Sequence, residues 1–116
     1  MAAAGDALII NDNSEFDQTT TVGGPWHNML INIGGSTPGQ LFVLVKSMWC
    51  AAATGNGVYI TGLSTPLTTF DWGVGESFSN GGFGFKVDNG AVAANKVLVA
   101  NTVTYHSNGS GPTSFT

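Results

Sequence analysis

Glu76-Ser77-Phe78-Ser79-Asn80-Gly81-Gly82-Phe83-Gly84-Phe85-Lys86-Val87-Asp88-Asn89-Gly90 is the stretch on which the reading of the fold turns. Phe83, Phe85 and Val87 alternate with Gly84, Lys86 and Asp88, the period-two pattern of a strand with one face against a core. Ser79 to Gly82 and then Asn89-Gly90 carry turn chemistry, and Asn-Gly adopts the positive φ of a tight hairpin turn at little cost. The expectation is an antiparallel meander running outward from this segment.

Working away from it, Gly or Pro interrupts almost every window in which helical spacing might build up, so helix amounts to a turn or two at most. Short runs rich in Val, Ile, Phe, Tyr and Thr recur between turn signals instead. They predict strands at Ala7–Asn11, Met29–Ile33, Gln40–Ala51, Val58–Gly62, Thr68–Trp72, Glu76–Ser79, Phe83–Asp88 and Lys96–His106. Such a pattern fits one all-β domain over residues 1–116, an antiparallel β-sandwich or jelly roll. Extended arms are expected at about residues 1–6 and 107–116, because the tail from Ser107 to Thr116 has the Gly, Ser and Pro content of a linker. No internal repeat stands out. Leu41–Val45 and Val97–Ala100 are apolar on both faces, which predicts cover on both sides, by a neighbouring subunit or by a loop.

Composition narrows the role. The chain has 116 residues, 42% hydrophobic and only 9% charged, with a net charge of -4. Soluble domains are about a quarter charged. Here 13 Thr, 10 Asn and 9 Ser supply the polarity, which suits strand faces and surfaces placed against other protein. Three lysines and no arginine give no cationic footprint for a phosphate backbone, so nucleic acid is not an expected partner. Cys50, the single cysteine, reads as a small buried hydrophobe in an apolar run. The start, Met1 to Asp6, has no basic residue and is followed by only a short apolar run, unlike a secretory signal. The apolar stretch from Leu41 to Ala53 is too short and too interrupted for the roughly 20 residues of a membrane span.

The sequence offers little chemistry. His27 and His106 are the only imidazoles, and no nucleophile motif accompanies either. His27 reads as a turn residue beside Pro25 and Trp26, and His106 as the solvated end of a strand. Metal is not expected, since two His and one Cys are too few and too scattered for zinc. The acidic run Asp12-Asn13-Ser14-Glu15-Phe16-Asp17 lacks the Gly and Glu of a calcium loop and reads as a solvated turn. Asp71 and Glu76 bracket Trp72-Gly73-Val74-Gly75 and read as turn-flanking acids rather than a glycosidase pair. The Gly-rich segments Gly55-Asn56-Gly57 and Gly81-Gly82-Phe83-Gly84 lack the lysine and helix of a phosphate loop. No enzyme activity, catalytic residue or cofactor is expected. Trp26, Trp49 and Trp72 have three available fates, core burial, subunit contact or stacking on a sugar, and with Phe115 they form the candidate partner-binding set.

In size, in composition, in the polar start Met1 to Asp6 and in the tail Ser107 to Thr116, the chain resembles small bacteriophage virion proteins of the capsid cement or decoration type. That resemblance implies a homo-oligomer, a trimer being one arrangement, that stabilises the lattice of the major capsid protein in a virion assembled in the host cytoplasm. The alternative expectation is a carbohydrate-binding β-sandwich, in a phage tail or fibre, that uses the same tryptophans against glycans.

Overall fold

The computed structural model describes residues 6–10, 14–17, 26–32, 40–61, 67–88 and 96–116. Among the described residues there are ten strands: β1 (Asp6–Ile10), β2 (Ser14–Asp17), β3 (Met29–Asn32), β4 (Gln40–Ala51), β5 (Val58–Thr61), β6 (Leu67–Phe78), β7 (Phe83–Val87), β8 (Lys96–Val99), β9 (Val103–His106) and β10 (Gly111–Phe115). Every pairing between them is parallel. The larger sheet has the order β1-β4-β6-β8, with β2 also on β4 and β9 also on β6, and the second sheet runs β10-β7-β5-β3. Parallel neighbours need long crossovers. Here each crossover is one circuit of the chain through both sheets.

The register gives the length of a circuit. Leu41 lies beside Thr68 and Thr69 beside Lys96, so between β4, β6 and β8 the chain returns after 27 residues (68 − 41, 96 − 69), while Gly75 beside Val103 gives 28 (103 − 75) and Asp6 beside Leu41 gives 35 (41 − 6). In the second sheet Val58 lies beside Phe85, again 27 residues on (85 − 58). The described residues therefore form a parallel β-solenoid of four stacked coils, four strands deep in each sheet. Stacked repeats of this kind bury a continuous core that no single repeat could bury alone.

This overturns the antiparallel sandwich or jelly roll. Ser79 to Gly82 does not reverse the chain. It is a corner that carries it from β6 in the larger sheet to β7 in the second. Ser79 has φ 55° there, and Ala52 (57°) and Ser107 (57°) repeat the conformation where β4 and β9 end, so three coils turn the same corner. The second hairpin signal, Asn89-Gly90, lies outside the described residues, as do residues 1–5 of the predicted N-terminal arm. Asp6, the sixth, opens β1. The predicted C-terminal arm is folded: β10 pairs with β7 from Gly111 to Phe115. The two strands expected at 68–72 and 76–79 are one strand, β6, and the one expected at 96–106 is two, parted at Ala100, whose carbonyl accepts from the Val103 amide at 3.0 Å.

Inside the coils the alternation of side chains explains the bends. Val43 and Val45 of β4 are wholly buried, but the next wholly buried residues are Met48 and Cys50, so the inward phase slips by one at Lys46-Ser47. In β6 the phase slips in the same place, from Phe70 and Trp72 to Ser77 across exposed Gly73 and Val74. Each long strand thereby turns and keeps both halves facing one core. That core also takes Val58, Ile60, Phe85 and Val87 from the second sheet. Its centre is aromatic: Phe70 meets Phe85 edge-on at 5.1 Å between centroids, and Trp72 packs against Phe70, Phe85 and Tyr105. Full burial of such a side chain contributes about 1.5–3 kcal/mol.

At the corner, Asn80 ties coils together. Its Oδ1 accepts from the Asn28 amide at 3.2 Å and the Ala53 backbone N–H at 3.0 Å. Its Nδ2 donates to Ser77 Oγ at 3.1 Å and to Asn108 Oδ1 at 2.9 Å. Asn80 is only 2% exposed, and a buried amide so fully partnered stabilises one corner geometry, since an unmade bond there carries the full desolvation cost.

Candidate docking surfaces

The stack leaves two surfaces that its own packing does not use. The first is a row on the outside of the larger sheet. The register sets Ile9 beside Leu44, Leu44 beside Asp71 and Asp71 beside Leu98, one residue from each coil. Ile9 is 55% and Leu98 53% exposed, and Leu44 between them is half-buried. Val74, on β6, adds a third exposed apolar side chain. Single exposed apolar residues are ordinary, but three apolar side chains in register across a sheet, with Asp71 the one polar member of the row, make a candidate protein-binding feature.

The second surface is the end of the stack at β8, β9 and β10. Each of these strands pairs on one side alone among the described residues. The inward row Ile31, Ile60, Val87, Phe115 runs through the four coils in register. Exposure along it reads 8% at Ile31, nothing at Ile60 and Val87, and 46% at Phe115. Phe115 thus continues the inward row and, among the described residues, has none stacked on its other side; its ring lies 5.8 Å from that of Phe85. Tyr105 lies on the same rim, packed edge-on against Trp72, and burial pushes its phenol above the ordinary range.

Of the candidate partner residues, Phe115 is at this open end. Trp26 is 48% exposed, and its backbone N–H donates to Thr54 Oγ1 at 3.0 Å. Trp49 points outward, half-buried, from the second half of β4 and sits beside Glu76. Trp72 is wholly buried and has no surface to offer a partner. Its indole N–H donates to the Val74 carbonyl at 2.9 Å, which is how a buried tryptophan satisfies its polar end.

The imidazoles have structural partners. His27 Nδ1 accepts from the Asn56 backbone N–H at 2.8 Å, and the ring lies edge-on to Tyr59 at 4.8 Å. Burial, and secondarily the Lys86 charge, hold its pKa below the usual value, so it is a neutral acceptor. His106 stacks on Phe78 at 5.0 Å and sets Nε2 3.3 Å from Glu76 Oε2 on the outside of the larger sheet. Lys86 sits 3.9 Å from Asp88, which accepts from the Tyr59 hydroxyl at 2.5 Å. Cys50 is buried, and desolvation pushes its thiol up to about 12, so it is an inert core residue.

The acidic run from Asp12 to Asp17 is described from Ser14 onward as the backbone of β2, which sequence reading missed because its residues are polar. Among the described residues no cluster of three His, Cys, Asp or Glu could hold a metal ion. Among them, too, no helix is long and apolar enough to cross a membrane. The sequence marked Leu44 and Leu98 as lying in runs apolar on both faces, but not the row they form with Ile9 nor the surface at β8, β9 and β10, because a parallel register, not spacing along the chain, assembles both. Compared with known proteins, the chain matches no family model, no curated protein and no solved structure.

Proposed function

We propose that this chain is a non-enzymatic structural protein of the capsid cement kind, which stabilises a protein shell by laying its exposed apolar row against the shell's subunits. The observation that carries this reading is the row Ile9, Leu44, Asp71 and Leu98, three apolar side chains and one carboxylate held in register on one sheet, with more than half of each end residue in solvent. A solenoid gives a docking face that does not deform, so little ordering cost opposes binding. A protein that binds only the assembled shell stabilises it by mass action. The partner in this reading is a major capsid protein lattice, in a virion assembled in the host cytoplasm.

Co-sedimentation with assembled shells from the producing cells tests it. Leu98→Asp removes one apolar contact and sets a carboxylate against the partner, so shell affinity should fall by about 10-fold or more while the unfolding midpoint stays within about 0.5 kcal/mol of wild type. Undiminished shell binding by Leu98→Asp, or none by the wild type, contradicts the reading.

A second reading rests on a different patch. Trp49, Glu76, Phe78 and His106 line up outward on the second half of the larger sheet, an arrangement of ring faces and a carboxylate that also suits a sugar. Under that reading Trp49→Ala abolishes glycan binding and Leu98→Asp leaves it intact.

A further inference from the structure

We propose that His27 is an acid-operated latch: taking up a proton releases residues 26–32, which carry β3, from the coil of β5, while the rest of the stack stays folded. The latch lies at a corner of the second sheet and does not rest on the shell reading.

The corner at residues 54–57 is tied to the preceding coil mainly through the backbone. The Gly55 N–H donates to the Trp26 carbonyl at 2.6 Å, and the Asn28 and Met29 amides donate to the Asn56 and Gly57 carbonyls at 3.2 and 2.9 Å. The Asn56 N–H, between these bonds, has a side-chain acceptor instead. It donates to His27 Nδ1 at 2.8 Å, and the Asn56 side-chain nitrogen is 3.3 Å from the same atom. A backbone N–H can only donate, so Nδ1 carries a lone pair and the proton of the neutral ring sits on Nε2. Protonation puts a hydrogen on Nδ1. Donor then faces donor, and the N–H of buried Asn56 loses its acceptor. No water fits between atoms this close, and the ring sits so near the corner that a Cβ on Gly55 would stand 2.5 Å from Nδ1.

The next coil makes the same cap without a titratable group. His27 precedes Met29 by two residues and Asn56 precedes Val58 by two; Met29 pairs with Val58 in register, and Val58 with Phe85. At the equivalent position, the Phe83 N–H donates to Asn56 Oδ1 at 2.7 Å. One slot in successive coils thus supplies the acceptor for an N–H of the coil that follows. At Asn56 it is an amide oxygen, which keeps its lone pairs in mild acid. At His27 it is an imidazole nitrogen, which does not.

The surroundings do not favour a charged ring. Among the described residues, the corner supplies no ionisable side chain, β5 supplies Tyr59, edge-on at 4.8 Å, and β7 supplies Lys86, with Asp88 just past it. The Asp88 carboxylate is engaged elsewhere, accepting from the Tyr59 hydroxyl at 2.5 Å with Lys86 3.9 Å away. Burial first, and the Lys86 charge second, depress the His27 pKa. A released ring, at about 6.5, takes its proton more readily than the docked one. Docking is therefore at full strength above that value and weakens as pH falls below it.

Amide exchange followed residue by residue, with protection corrected for the intrinsic effect of pH, tests this. Between about pH 7.5 and about pH 5, protection at Asn28, Met29 and Asn56 should fall by about 5- to 30-fold, the upper figure being the full proton-binding advantage of a free imidazole. The Gly57 N–H donates to the Phe83 carbonyl at 2.9 Å, in the coil that follows, and should keep its protection, which separates local release from global unfolding. His27→Asn installs the acceptor that the next coil uses and should hold Asn56 protection at its neutral value in acid. His106→Asn should respond to acid as the wild type does. Imidazole nitrogen shifts of the wild type give an independent readout: Nδ1 of His27 should be the unprotonated nitrogen at neutral pH, and loss of Asn56 protection should track His27 protonation. Protection that is equal at both pH values, an acid response that survives His27→Asn, or a protonated His27 beside a still-protected Asn56 overturns the inference.

Discussion

Gly75→Ala is expected to remove most or all of the protein's stability, because no side chain fits where the two longest strands meet. Gly75 lies in β6 between Met48 of β4 and Val103 of β9. A Cβ there would sit 1.7 Å from the Met48 carbonyl oxygen and 2.8 Å from its carbon. Both are backbone atoms within a ladder of paired residues, so nothing can rotate aside. The residue also holds φ at 147°, a conformation that costs an L residue about 1–3 kcal/mol. Overpacking adds about 1–3 kcal/mol. Together these rival the low end of the about 5–15 kcal/mol that holds a domain folded. Urea unfolding should show a collapsed midpoint or no transition. Thr104→Ala, on the exposed side of neighbouring β9, should shift it by no more than about 0.5 kcal/mol. A Gly75→Ala protein with a wild-type midpoint would mean that β4 and β6 do not approach as described.

Trp72→Ala is expected to cost about 3–5 kcal/mol, the usual range for emptying a large aromatic site in a core. The indole is wholly buried and touches aromatic rings from both sheets and from the last coil, so its loss leaves a cavity that no single strand can fill by moving. Denaturant titration followed by far-ultraviolet circular dichroism measures this. A loss below about 1 kcal/mol would place Trp72 on the surface, where a sugar or a partner could reach it.

How far the sequence was legible depends on which interactions are local. β4 was predicted at its observed bounds, Gln40–Ala51, because an unbroken apolar and β-branched run is a strand in either sheet type. The strand content of β5 and β7 was legible for the same reason. Strand direction was not. Ser79-Asn80-Gly81 has the residues of a tight reversal, yet Ser79 takes its positive φ singly, and Asn80 turns inward to bond Asn28, Ala53, Ser77 and Asn108. All of those partners but Ser77 come from other coils, so local turn chemistry could not reveal them. A signal was present all the same. Ser-Asn-Gly occurs at 79–81 and again at 107–109, and these segments stack, with Phe78 beside His106 just before them. A repeat of two short copies amid degenerate Ala, Gly and Thr sequence is faint because a solenoid corner constrains backbone angles more tightly than residue type. The tail was misjudged for a related reason: Gly111 to Phe115 has linker composition, but an edge strand paired on one side tolerates Gly and Pro.

The two-sided apolar character of Leu41–Val45 had suggested cover on both faces. Val43 and Val45 do line the core, while Leu44 belongs to the outward row. The sequence thus carried the outer surface, though only the register showed that it continues through Ile9 and Leu98.

Inter-strand nuclear Overhauser contacts on isotope-labelled protein test the coil architecture most directly. The account predicts contacts between residues whose numbers differ by a constant, Val43 with Phe70, Val45 with Trp72 and Trp72 with Val99, all 27 apart (70 − 43, 72 − 45, 99 − 72). Contacts whose residue numbers instead add to a constant, with Phe78 opposite Phe83 across the Ser79–Gly82 turn, would show antiparallel strands and contradict it.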